Sequence, residues 1–130
     1  MSHTHDKLIG PVPLRIIDTA QFIVTPYEGR VAEFNIAAWL QIPGLANLPV
    51  SLLVTYRDGD KRLEIAVDHG KVGGTGRILL SGVARLPSKS RIEDLQIHLR
   101  SAVAATTLVV EELFVQAVEQ AKPQSRQIRA

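Results

Sequence analysis

Five side chains in the chain have the chemistry of a ligand-binding surface: Trp39, Arg57, Gln96, His98 and Arg100. An indole ring stacks well on the C–H groups of a sugar ring, and arginine pairs with a carboxylate through two hydrogen bonds. Gln96, His98 and Arg100 alternate with apolar residues, so a strand places all three on one face. The set predicts a face that binds a carbohydrate or another polar ligand. Arg57, His98 and Arg100 would suit an acidic glycan better than a neutral one.

Each of these residues also has a plainer interpretation. Trp39 is the only tryptophan, and it could pack under a loop or in a dimer interface. The alternating residues Gln96, His98 and Arg100 could form a solvated polar sheet surface. Both interpretations stay open from the sequence.

Catalytic and metal sites are not expected. Ser81 lacks the glycine two residues earlier that a nucleophile elbow requires. Glu111 and Glu112 are adjacent, so a strand would point them to opposite sides. His3 and His5 have no third ligand nearby in the sequence. The sequence therefore predicts a protein that is not an enzyme and that uses no metal or other cofactor.

Composition limits the class of protein. The 130 residues are 45% hydrophobic and include no cysteine, which predicts a single globular domain without disulfides. The start is polar and no apolar run approaches the about 20 residues of a membrane span, so neither a signal peptide nor a membrane segment is predicted. We expect a cytoplasmic protein, or an extracellular one if it belongs to a longer or non-classically exported chain.

Net charge argues against nucleic acid as a partner. The formal charge is +2 and the basic residues are scattered, apart from Lys122, Arg126 and Arg129 near the end. A nucleic-acid site needs a basic stripe with interleaved aromatic residues. The segment 119–130 is instead expected to be a flexible basic tail.

Alternation with period two dominates the middle of the chain, which is the signal of β-strands. Phe34, Ile36, Ala38 and Leu40 alternate with a set that includes Trp39. The same alternation returns over 50–57, 62–68, 78–86 and 95–100, and Asp58-Gly59-Asp60 predicts a tight hairpin. We expect residues 1–10 to be a flexible arm and 11–118 to be one β-sandwich domain. Leu14, Ile16, Phe22 and Val24 suggest one or two strands at its start, and residues 1–30 could complete the sandwich or swap onto a partner.

The segment from 107 to 118 is ambiguous. Val109, Val110, Leu113, Phe114 and Ala117 fit a helical spacing as well as a strand. The preceding threonines and valines are β-branched, which favours a strand. We predict a strand with a kink or bulge near Glu111-Glu112, with a C-terminal helix as the alternative.

Five motifs follow one another in a characteristic order: residues 34–40 with Trp39, 56–59 ending in Asp-Gly, Leu80-Ser81-Gly82 followed by Leu86-Pro87, residues 95–100, and 109–113. This order resembles the xylan- and glucan-binding modules of carbohydrate-binding families four, nine and twenty-two, which have a galactose-binding-like sandwich. Arg77 stands where the family has an aromatic residue, and His98 and Arg100 stand where some members have Tyr and Glu. The resemblance implies an all-β fold, an antiparallel jelly-roll β-sandwich of about eight strands, whose concave face binds an oligosaccharide or polysaccharide.

A second hypothesis keeps the fold and changes the function. The chain could be a protein-interaction or structural β-sandwich, in homodimeric form, that has lost sugar binding. Leu53 is an apolar residue on the outward side of its strand and would belong to such an interface, close to Trp39. The partner is then a protein or a second copy, and neither nucleic acid nor a membrane.

Overall fold

Eight strands make up two antiparallel sheets in a computed structural model that describes residues 4–118. Sheet A has the order β1-β7-β4-β5, and sheet B has the order β2-β3-β6 with β8 also paired to β3. The predicted all-β class is confirmed. The elements are β1 (His5–Pro11), α1 (Leu14–Ile17), β2 (Ile23–Thr25), β3 (Gly29–Gln41), a 3-10 turn (Pro43–Leu45), β4 (Pro49–Asp58), β5 (Lys61–Lys71), β6 (Arg77–Pro87), β7 (Ile92–Ser101) and β8 (Val109–Ala117).

The hydrophobic core lies between the two sheets. Alternate residues of each central strand point inward and lose nearly all solvent contact, as the period-two pattern predicts. Tyr56 is the largest of these side chains, and its hydroxyl donates to the carbonyl of Pro87 at 2.7 Å. Burial raises the pKa of Tyr56 to about 12, so this hydroxyl stays protonated and links β4 of sheet A to β6 of sheet B.

Strand β3 is the centre of sheet B. Strand β6 pairs with it from Val31 to Gln41 on one side. The other side is shared by β2, which pairs with residues 29–31, and β8, which pairs with residues 34–41. Positions on β6, β3 and β8 therefore form rows that cross three strands.

Strands β5 and β6 approach each other where sheet A meets sheet B. A Cβ atom on Gly82 would lie 2.7 Å from the carbonyl oxygen of Val67, so only glycine fits there. The Asp68 carboxylate accepts the backbone N–H of Ser81 at 2.9 Å. The Leu80-Ser81-Gly82 motif thus has a packing role: Leu80 fills the core, and Gly82 permits the close approach.

The predicted hairpin and the predicted bulge are both confirmed. Asp58 of β4 pairs with Lys61 of β5 across a two-residue turn, in which Gly59 has a φ of +63°. Strand β8 is a strand and not a helix, and its register with β3 shifts between the partners of Trp39 and Leu40. That shift leaves Glu111 as the extra residue of a bulge, within the pair for which a kink is predicted.

The N-terminal region differs from the prediction. Residues 5–10, which we expect to be part of a flexible arm, belong to β1 (His5–Pro11), which lies at the edge of sheet A and pairs with β7. Leu14 and Ile16 lie in the short helix α1, which begins after Pro13, and not in a strand. The polar composition of 1–10 is misleading because an edge strand needs few apolar side chains when its neighbour supplies hydrogen bonds. The predicted tail at 119–130 lies outside the described residues.

Candidate functional site

The five residues predicted to bind a ligand do not share a surface. Arg57 lies on β4, and Gln96, His98 and Arg100 lie on β7, so these four belong to sheet A. Trp39 lies on β3 of sheet B and points away from the core. The two sheets pack with the core between them, so Trp39 and the other four residues lie on opposite outer faces. A single site built from all five is therefore excluded.

Arg100 is already bound to protein groups on the outer face of sheet A. Its Nε and Nη2 donate to both carboxylate oxygens of Asp6 on β1, at 2.7 and 2.8 Å. Its Nη1 and Nη2 donate to both carboxylate oxygens of Glu64 on β5, at 2.7 and 2.8 Å. Hydrogen bonding to Arg100 lowers the pKa of Asp6 and of Glu64, so both carboxylates are charged at neutral pH. A carboxylate ligand would have to displace these partners.

The other polar residues of this face are also paired with one another. Arg57 donates to Glu93 at 3.0 Å, and Gln96 donates to Asp94 at 3.1 Å. Nε2 of His98 lies 3.2 Å from the hydroxyl of Thr55. The outer face of sheet A is thus a network of ion pairs and hydrogen bonds that its own strands satisfy.

The network explains the burial of Leu53, an apolar residue on the outer face of sheet A. Its alternation places it on the outer face of sheet A, where it pairs with His98 and Ala66. It is only 2% exposed, although it is not part of the main core. The Arg100–Glu64 pair spans from β7 across β4 to β5, and we attribute the burial of Leu53 to this cover. Leu53 therefore does not belong to an exposed interface, and it lies on the opposite sheet from Trp39.

The outer face of sheet B is apolar at its centre. Leu79 and Val83 on β6 and Phe114 on β8 are 43%, 49% and 49% exposed, and they surround Ala37 and Trp39 on β3. We call these five residues the apolar face. Strand pairing orders them in three rows: Leu79–Trp39–Glu112, Ser81–Ala37–Phe114 and Val83–Asn35–Gln116.

Charged groups occupy the ends of the apolar face. Arg77 donates to Glu111 at 2.8 Å, and its guanidinium carbon lies 4.5 Å from the centre of the Trp39 ring. Arg85, at the other end of β6, donates to Glu28 and to Glu33, each at 2.8 Å. One ring face of Trp39 is thereby covered by a cation, as expected for a cation–π contact.

Leu79, Val83 and Phe114 are not among the site residues predicted from the sequence. A signal for them exists, because β6 and β8 carry apolar residues on both faces, whereas a strand with one solvated face alternates with polar residues. Phe114 fits the helical spacing of its segment, which obscures its outward direction in a strand.

A polar cluster around Asp58 holds the loop after β6. The Asp58 carboxylate accepts the backbone N–H groups of Lys89 and Ser90, each at 2.9 Å, and the hydroxyls of Ser88 and Ser90. These hydrogen bonds lower the pKa of Asp58 to about 2. The carboxylate thus accepts four hydrogen bonds, and the cluster fixes the loop.

Two further observations concern the described part of the chain. Within residues 4–118, no group of three or more His, Asp or Glu side chains is placed to hold a metal ion. Over the same residues, no helix is long and apolar enough to cross a membrane.

Comparison with protein-family models, with curated proteins and with solved structures gives no match. The resemblance to carbohydrate-binding modules is therefore carried by the quoted motifs alone.

Proposed function

We propose that this protein is a non-catalytic interaction module that docks the surface of another folded protein on its apolar face. The observation that carries the proposal is the exposure of Leu79, Val83 and Phe114 on neighbouring strands around Trp39. Single exposed apolar residues are common, whereas contiguous ones mark interaction sites.

The chemistry of the face favours a protein over a sugar. Two of its three most exposed residues are aliphatic, and protein interfaces bury aliphatic and aromatic side chains at their centre and keep charges at the rim. The rim arginines Arg77 and Arg85 are paired with carboxylates, which suits the edge of such an interface. The outer face of sheet A lacks this pattern.

The strand orders support a jelly-roll arrangement for the module. The chain changes sheet at every step after β3 except within the β4–β5 hairpin, and β1 and β4 flank β7. Such repeated crossing is the basis of a jelly roll, which has eight strands in two sheets. In this protein β2 has only three residues and pairs with β3 on the same side as β8. Sheet B therefore has three long strands, β3, β6 and β8, and one short strand.

The test uses two matched valines. Val83 on the apolar face and Val103 in the loop after β7 are 49% and 50% exposed. A photo-crosslinking amino acid is introduced at either position in the full chain, in the cells that produce it. We expect a defined protein adduct from position 83, lost when Leu79→Glu is added, and none from position 103.

The crosslinked protein is identified by mass spectrometry, and either this chain or a different protein would support the proposal. Adducts from neither position, or equal adducts from both, would overturn it. A retained adduct in the Leu79→Glu variant would show that contact at position 83 does not depend on the apolar face.

Carbohydrate binding is a second candidate, favoured by one observation. Trp39 and Phe114 are diagonal neighbours on one face, with Asn35 and Gln116 beside them, so aromatic rings and amide groups lie together. Titration of Trp39 fluorescence with neutral and acidic oligosaccharides tests this function. A saturable change that is lost in Phe114→Ala would support it. The absence of a response across the panel would exclude the sugars tested and leave the protein-docking proposal standing.

A further inference from the structure

We propose that the protein docked by the apolar face is a second copy of this chain. The two copies are related by a two-fold axis that runs across the strands, along the row Ser81–Ala37–Phe114. This inference rests on the proposed function, because it names the partner of the same face.

The rows on either side of this axis are complementary in their apolar positions. A two-fold axis along the row of Ser81 places the Leu79 row of one copy on the Val83 row of the other copy. Leu79 of one copy then faces Val83 of the other, and this contact occurs twice. On the axis, Ala37 and Phe114 each face themselves, so the four most central apolar contacts match.

The polar positions of the same rows match as well. Glu112 of one copy faces Gln116 of the other, which puts a carboxylate opposite an amide donor. Trp39 faces Asn35, which puts an indole N–H donor opposite an amide acceptor. Apolar groups thus meet apolar groups, and donors meet acceptors.

Other two-fold axes fit less well. An axis parallel to the strands sets β6 of one copy on β8 of the other, so Leu79 meets Glu112 and Val83 meets Gln116. An axis moved to the row of Trp39 sets Glu112 against its own copy, and like charges placed opposite each other repel. Of these three axes, the axis along Ser81 is the one that avoids both mismatches.

The arginines at the two ends of β6 do not oppose this arrangement. The axis brings Arg77 of one copy near Arg85 of the other. Each already has carboxylate partners within its own chain: Glu111 for Arg77, and Glu28 and Glu33 for Arg85. The approaching groups are therefore ion pairs and not bare cations, and their repulsion is small.

The size of the face predicts a weak dimer. The outer surface of β6, β3 and β8, whose centre is the apolar face, consists of three strands about 4.8 Å apart and about 33 Å long, and it offers roughly 500 Å² per copy, or about 1,000 Å² for the pair. Stable complexes bury about 1,200–2,000 Å², and smaller interfaces belong to transient complexes. We expect a dissociation constant in or above the micromolar range.

Sedimentation equilibrium of the full chain, from low micromolar to millimolar concentration, measures the monomer–dimer equilibrium. We expect a concentration-dependent dimer in the unchanged protein and in Val103→Glu. In Val83→Glu, which places a charge against Leu79 of the other copy, the dimer should weaken at least tenfold. Circular dichroism and thermal melting of each variant confirm that it is folded.

A crosslinking experiment tests the position of the axis. The chain has no cysteine, so Ser81→Cys introduces a single thiol on the axis, and Ser51→Cys introduces one on the outer face of sheet A. Packed sheets lie about 10 Å apart, which brings two axial thiols within reach of a short bifunctional maleimide. We expect crosslinked dimers from Ser81→Cys and few from Ser51→Cys at the same concentration.

The outcomes separate this inference from the proposed function. A monomer at every concentration, or a dimer unaffected by Val83→Glu, overturns the inference. If position 83 still crosslinks to a different protein in cells, the docking function survives with another partner. If it crosslinks to nothing, both fail. A dimer that Val83→Glu weakens but Ser81→Cys does not trap would refute the axis along Ser81.

Discussion

The outer faces of the two sheets differ in how their side chains are satisfied. On sheet A, charged and polar groups of four strands bind one another and bury Leu53 beneath them. On sheet B, the paired charges lie at the ends, and the centre leaves Leu79, Val83 and Phe114 about half exposed. The polar face looks more like a binding site in the sequence, yet its groups already have partners. The comparison teaches that a candidate binding surface is identified by exposed side chains that lack partners within the protein, and not by polarity.

The largest expected effect contrasts two leucines, one from each outer face. Leu53→Ala removes a buried side chain and should lower the free energy of unfolding by about 2–3 kcal/mol. Leu79→Ala removes an exposed one and should change it by about 0.5 kcal/mol or less. Urea unfolding at low protein concentration, where the monomer dominates, measures both. Equal losses would mean that the two faces are buried to the same degree, and the contrast would be wrong.

The next effect concerns the charges of sheet A. Arg100→Met removes the guanidinium that holds Asp6 and Glu64, and should cost about 1–2 kcal/mol at neutral pH, since the pairs are bidentate but partly exposed. Arg57→Met, which breaks one pair with Glu93, is the control and should cost less. Urea unfolding at pH 7 measures both losses.

The pH dependence of the same variants sharpens this test. The pKa values of Asp6 and Glu64 lie below their ordinary 3.8 and 4.5 in the folded state. Their contribution is therefore complete above about pH 5 and is lost as the pH falls through the lowered values. The unchanged protein should lose stability in this window, and Arg100→Met should lose less. If the stability of both proteins fell identically with falling pH, Arg100 would not be the cause of the lowered pKa values of Asp6 and Glu64.

Salt should affect the two faces in opposite directions. Sodium sulfate screens the ion pairs of sheet A and strengthens the burial of apolar surface. The stability difference between the unchanged protein and Arg100→Met should shrink, while the dimer should tighten several-fold. Unfolding curves and sedimentation equilibrium, with and without sulfate, measure the two changes. A dimer that dissociates in sulfate would be held by charges and not by the apolar face.

The smallest effect is expected at Arg77. Arg77→Met removes an exposed ion pair with Glu111 and the cation over Trp39. It should lower the free energy of unfolding by at most about 1 kcal/mol. The Trp39 fluorescence maximum should shift, since the ring loses its charged neighbour. A loss as large as that of Arg100→Met would contradict the contrast between the two arginines.

The sequence predicts local structure better than it predicts the assembly of the sheets. The Asp58-Gly59-Asp60 turn and the bulge at Glu111-Glu112 depend on neighbouring residues, and both are found. Alternation also predicts that Trp39 points away from Ile36 and Leu40. Alternation does not indicate which sheet a strand joins, so it cannot separate Trp39 from residues of the opposite outer face.

The pairings of Arg100 show the same limit over a longer distance. Asp6 and Glu64 are 94 and 36 residues away in the sequence. Nothing near Arg100 in the sequence indicates either partner. The local sequence therefore suggests an unpaired cation that is available to a ligand. The short polar segment before Pro11 likewise gives no local sign that β7 will pair with it.

The pairing of β1 with β7 has a consequence for how the chain folds. His5 pairs with Ser101 and Phe34 pairs with Ala117, so β1 and β3 each bind a strand that lies far along the chain. Within residues 4–118, only the β2–β3 and β4–β5 pairs join strands that are consecutive in the chain. Contacts of such long range slow folding, because loop closure is costly before the contacts form. During synthesis, β1 leaves the ribosome long before β7 and remains without its partner until β7 has followed.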